Sequence, residues 1–135
     1  MKTSGIFTVS LDFERMWGVH DVSSQAYAAN IDGVDDAIER LLDLFNKYGI
    51  HSTWATVGLL FFKDLDELNK NLPDKKPHYE GALLNAYEYI NRHSEPNQVK
   101  HFSPEAILKI SIITGQEIGT HTFSHFYCTE KGQTI

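Results

Sequence analysis

The sequence predicts an α/β fold built on parallel strands, and three observations predict it. Residues 6–11 (Ile-Phe-Thr-Val-Ser-Leu) are β-branched or apolar on both faces, as a strand covered from both sides would be. Residues 31–48 repeat apolar side chains every three or four positions and lead into a second β-branched run at 50–58. A strand, a helix and a strand in that order make a right-handed parallel crossover. A helix-start signature at Ser103-Pro104-Glu105 then precedes a short glycine-bounded strand at 117–122.

The first strand should run straight into Asp12-Phe13-Glu14. If the extended conformation continues, period-two spacing points both carboxylates the same way. The following Arg15-Met16-Trp17-Gly18-Val19-His20 reads as a pocket wall rather than a solvated turn. The helix at 31–48 carries Ile31, Val34, Ile38, Leu41, Leu42, Phe45 and Tyr48 as its core stripe, with Asp32 or a neighbour to cap it and Gly49 to end it. The second strand ends near Thr56, and residues 59–68 should form a short helix. His51, at the far end of that strand, is expected to be structural.

Residues 69–101 are polar and broken by Pro73, Pro77 and Pro96, so they read as a loop and helix insertion on the rim, with one helical patch at 79–90. Tyr79, Tyr87 and Tyr89 could stack on a sugar face, although packing is the ordinary use, and His78, His93 and His101 are expected to face solvent. The helix opened by Ser103 should bury Ile107, Leu108, Ile110 and Ile112 and stop at Gly115.

At 135 residues with 41% hydrophobic and 12% aromatic content, the chain suits a single domain over 1–135 with a packed core. A formal charge of -6 without a Lys/Arg cluster argues against nucleic acid as a partner. No apolar run reaches about 18 residues and no signal-peptide pattern opens the chain, so no membrane insertion is expected and the cytoplasm is the expected location. The single Cys128 cannot form an intrachain disulfide, which agrees with a reducing compartment. Cys128 is either a sulfur ligand or, more ordinarily, a packed or exposed thiol.

The chemistry concentrates in Gly115-Gln116-Glu117-Ile118-Gly119-Thr120-His121-Thr122-Phe123-Ser124-His125. Two imidazoles four residues apart need only a carboxylate to make a three-ligand metal site with open positions. With seven histidines in the chain, such a pair can also be a chance surface feature. Its setting beyond a strand favours a site, because ligands of open parallel sheets gather at the strands' carboxyl ends. There Asp12, Glu14, Thr56, His121 and His125 should converge.

At this point the sequence resembles the polysaccharide deacetylase (NodB-like, carbohydrate esterase) family. The matching pieces are Ser10-Leu11-Asp12-Phe13-Glu14, Ser52-Thr53-Trp54-Ala55-Thr56-Val57-Gly58 and the 115–125 histidine stretch, in the family's order. The resemblance implies an irregular, TIM-like (β/α) barrel and hydrolysis of an N-acetyl group on an amino-sugar glycan or glycolipid precursor. It puts Asp12 at the catalytic base and His121 and His125 at the metal. The family's acidic motif has adjacent aspartates, whereas here Phe13 intervenes and Glu14 is the second acid. The chain ends at Ile135, before the stretches that in the family bring a substrate-binding arginine, an acid orienting the base and a general-acid histidine. Only the first half to two-thirds of a barrel is therefore expected, with open sheet edges that favour homo-oligomeric association.

The chemistry so implied is metal-assisted amide hydrolysis. Zn²⁺ would be held by Glu14, His121 and His125, with Asp12 taking the proton of the attacking water. Another divalent transition metal such as Fe²⁺, Co²⁺ or Ni²⁺ is the alternative; for iron, two histidines and one carboxylate also form the facial triad of non-haem oxygenases. Trp17, His20 and Thr56 would line the N-acetylated carbohydrate substrate, and His20 is the one candidate for protonating the leaving group. The rival readings are a catalytically silent carbohydrate-binding module and a metal-free amidohydrolase relative.

Overall fold

The computed structural model describes residues 5–22, 24–93 and 98–133. Its centre is a three-stranded parallel sheet of β1 (Ser10–Phe13), β2 (Ser52–Thr56) and β3 (Gln116–Thr120), in that spatial order. The register sets Leu11, Trp54 and Ile118 in one row and Phe13, Thr56 and Thr120 in another. Glu14, Val57 and His121 consequently leave the sheet at the same edge. The ladder runs on into two of them, because Val57 N–H donates to Phe13 O at 3.0 Å and His121 N–H to Thr56 O at 3.0 Å.

The first strand begins later than the apolar run suggests, and Ile6 and Phe7 are 92% and 90% exposed. The cause lies in β2. Its first bond to this strand is Thr53 N–H to Val9 O, because just upstream Gly49 turns left-handed (φ 61°) and Ile50 N–H is taken by Phe45 O. Among the described residues, no strand pairs with residues 5–8.

The expected 31–48 helix is two helices, α1 (Ser24–Asp32) and α2 (Val34–Tyr48), parted at Gly33. No side chain caps α2; Asp35 and Asp36 in its first turn face the positive end of the dipole instead. Ile38, Leu42 and Phe45 are buried as a stripe, while Tyr48 is exposed. The 59–68 segment is a 3-10 turn at Gly58–Phe61 followed by α3 (Leu65–Lys70), whose cap is Asp64 accepting from Glu67 N–H at 2.8 Å.

The described residues of 69–101 are not all solvent-facing. They supply α4 (Ala86–Arg92), capped by Asn85, and α5 (Gln98–His101), and they bury Ala86, Tyr87, Tyr89, Ile90 and His101; Pro96 lies outside the described residues. Trp17 explains this. Its indole is fully buried and must bond within the protein, and its Nε1 donates to His101 O at 2.8 Å. His101, expected in solvent, is thereby drawn inside, where its Nε2 lies 3.0 Å from the Tyr89 hydroxyl and its ring stacks on Tyr89. His78 and His93 are exposed.

The last helix, α6 (Pro104–Ser111), starts at Ser103-Pro104 but without a bond from the Ser103 side chain, and it ends four residues before Gly115. At eight residues it buries one stripe, Ile107 and Ile110, and leaves Leu108 and Ile112 outside. Gly115 (φ 85°) then turns the chain into β3 against the His51 ring. No described helix is long and apolar enough to cross a membrane.

Candidate metal centre

Glu14, His121 and His125 form the group of side chains on which the strand ends close. Phe13 points into the core and packs edge-on against Trp54, with ring centroids 6.3 Å apart. Its neighbours Asp12 and Glu14 accordingly share the opposite side of the chain. His121 leaves β3 directly, and His125 follows across a turn. Glu14 Oε2 is 3.1 Å from His121 Nε2 and 3.1 Å from His125 Nε2, and the two imidazoles stand at 66° with centroids 5.0 Å apart. Asp12 is mostly exposed, its Oδ2 4.0 Å from His121 Nε2.

The histidine turn is bolted to the 3-10 turn that follows β2. Gly58 N–H donates to Thr122 O and Leu59 N–H to Phe123 O, each at 2.9 Å, and Phe126 N–H donates to Thr122 Oγ1 at 2.7 Å. These bonds hold Thr122 (φ 61°) and His125 (φ 54°) in the left-handed region, where a residue with a side chain is strained by about 1–3 kcal/mol. Arg15 (φ 46°), ion-paired with Asp35, is a third such residue beside Glu14. Strained backbone at both ends of one side-chain cluster is the usual mark of a site held for function.

The donors suit a divalent transition metal. Each residue offers one ligand atom, and these atoms all lie within 4.8 Å of one another. Bonds of about 2.0–2.2 Å in tetrahedral to octahedral geometry put neighbouring donors about 3.0–3.5 Å apart, the spacing Glu14 already keeps to both imidazoles. A hydrogen bond from His125 lowers the Glu14 pKa against the opposing effect of burial, so the carboxylate is ionised and able to ligate.

Around this trio lies a wall that the sequence did not announce. The Tyr127 ring meets His125 edge-on at 5.0 Å, and Tyr127 N–H donates to the Tyr79 hydroxyl at 3.1 Å. Burial first, and then the Asp21 carboxylate, hold the Tyr127 phenol well above its ordinary pKa, so it stays a neutral donor. Cys128 is exposed and is not in the ligand cluster.

Three residues expected to meet substrate are instead enclosed. Trp17 is core. Thr56 is buried with its hydroxyl donating to Trp54 O at 2.9 Å. His20 is buried with Nδ1 2.8 Å from Trp17 O, and burial lowers its pKa. The loop 15–20 turned inward because Met16 and Trp17 carry more apolar area than a solvent-facing wall can spare.

No family model matches the chain, and no curated protein or solved structure matches it.

Proposed function

We propose that the protein is a metal-dependent N-deacetylase, hydrolysing the acetamide of an N-acetylated amino-sugar glycan or glycolipid precursor. The observation that carries the reading is one carboxylate oxygen, Glu14 Oε2, within 3.1 Å of two imidazole Nε2 atoms, with a second, unligated carboxylate at Asp12 next to them. Glu14, His121 and His125 would hold the ion. A divalent metal such as Zn²⁺ supplies Lewis acidity there, acidifying water and polarising the amide carbonyl.

The chain's own residues divide the remaining work. Asp12, exposed and outside the ligand trio, takes a proton as water oxygen bonds to the carbonyl carbon. The C–N bond then breaks, the sugar nitrogen takes up a proton and acetate leaves. The choice of an amino sugar is supported by the resemblance of the three motifs at 10–14, 52–58 and 115–125 to polysaccharide deacetylases. In that reading the three parallel strands are the opening part of an irregular (β/α) barrel.

The test is metal content of chelator-stripped, reconstituted protein, followed by acetate release from N-acetylated oligosaccharides. One equivalent of zinc with acetate release supports the proposal. Zinc without acetate turns it into a binding module, and no uptake of zinc, cobalt, nickel or iron ends it.

A further inference from the structure

The turn after β1 holds Glu14 in a slot that only one residue type leaves open. Glu14 opens the 3-10 helix Arg15–Gly18, with Trp17 N–H donating to Glu14 O at 2.9 Å. The fourth residue of that turn, Gly18, comes back beneath the Glu14 side chain. A Cβ at position 18 would overlap Glu14 Oε1 and Cδ and stand 2.7 Å from Cγ. The carboxylate thus occupies the space a Gly18 side chain would fill, with Oε1 beside Gly18 and Oε2 within 3.1 Å of both imidazoles.

We propose that Gly18 is a positioning residue for the metal centre: its missing side chain is the space that lets one Glu14 oxygen reach His121 and His125 together. The inference rests on the metal-binding reading of this trio. Two features say which side gives way when the slot is filled. Gly18 is not in the left-handed region, so alanine suits its backbone, and Met16 and Trp17, both buried, pin the turn. The part free to move is the end of the Glu14 side chain, at small cost to the fold. Gly18→Ala should therefore leave the protein folded while its ligand swings off the imidazoles. That separates Gly18 from an ordinary packing glycine, whose loss lowers stability and leaves ligands alone.

The experiment is a double-mutant cycle on the whole chain, read by Zn²⁺ calorimetry, by the Co²⁺ absorption spectrum and by melting of the metal-free protein. Gly18→Ala is expected to weaken Zn²⁺ binding by about 10- to 100-fold, the range for residues that orient ligands. It should also alter the Co²⁺ bands and leave metal-free melting nearly unchanged. Placed on Glu14→Ala, whose weaker residual binding to the two imidazoles is titrated at higher Zn²⁺, the same substitution should weaken binding no further, because the group it displaces is gone. Undiminished affinity in Gly18→Ala, an equal loss in the Glu14→Ala background, or loss of cooperative metal-free melting would each overturn the role of Gly18 while the parent still binds zinc. A parent protein that takes up no metal would instead remove the metal-binding reading, and this inference with it.

Discussion

Gly58 and Phe123 touch backbone to backbone: a Cβ on Gly58 would stand 2.9 Å from Phe123 Cα and 3.1 Å from Phe123 O. The contact joins the 3-10 turn after β2 to the turn between the two histidines. Unlike a side-chain tip, a backbone atom in this position cannot step aside cheaply. Gly58→Ala should lose about 1–3 kcal/mol in urea unfolding and bind zinc more weakly, because the 121–125 turn must shift. Wild-type stability and wild-type affinity together would show that the turn is not held this way.

The ligand assignments separate by metal content. His121→Ala and His125→Ala should each abolish stoichiometric zinc, measured by atomic emission after dialysis. Asp12→Asn should keep its zinc and lose acetate release. Equal metal loss in Asp12→Asn would mean that the two acids have exchanged roles.

Bound zinc should stabilise the fold, because the ligands follow β1 and β3, which among the described residues each pair with β2 and not with each other. At free zinc about 100 times Kd the gain is about 2.7 kcal/mol, removed by chelator and absent in His125→Ala. The gain should shrink as pH falls, since the carboxylate and imidazoles must be deprotonated to bind. Scanning calorimetry at a series of pH values reads both effects, and a rise in melting temperature that survives in His125→Ala would place the ion elsewhere.

Stability without metal should depend on pH through His20. Burial holds its folded pKa below the ordinary 6.5, so as pH drops below 6.5 the unfolded chain takes a proton that the folded chain refuses. Stability from the neutral imidazole is fully present above 6.5 and is lost as pH falls toward the lowered folded value. The slope for one proton is at most about 1.4 kcal/mol per pH unit. His20→Asn, whose amide can still donate to Trp17 O, should flatten the profile below pH 6.5. An identical profile in denaturant melts would clear His20 of this role.

Trp17 should behave as core. Its truncation to alanine should cost about 3–5 kcal/mol, since it is fully buried and its indole anchors α5 through His101 O. Trp17→Phe should lose less and retain zinc affinity. Intact stability in Trp17→Ala, with activity lost, would return Trp17 to the substrate.

The elements that sequence reading located best are those whose signal is local. Apolar periodicity marked the stripe of α2, Gly49 marked its end, a β-branched run between glycines marked β2, and the stop at Gly115 after the last helix marked β3. The alternation of Asp12, Phe13 and Glu14 was likewise readable, because a strand puts every second side chain on one face whatever it packs against. Where a residue's fate depended on distant partners, the pattern misled. His101 looked like a solvent histidine until Trp17, 84 positions away, required its carbonyl.

By itself, then, the sequence marked β2, β3 and the buried stripe of α2, and singled out the acidic and histidine residues near the strand ends, since those follow from propensity and spacing along the chain. Only the tertiary structure decided that Glu14 stands between His121 and His125, that Trp17, His20 and Thr56 turn inward, and that the space a side chain would need at Gly18 and Gly58 is taken by Glu14 and Phe123. The physical reason is that a glycine's role is set by what fills the volume its side chain would have occupied. That volume is bounded by neighbours which meet only when the chain folds.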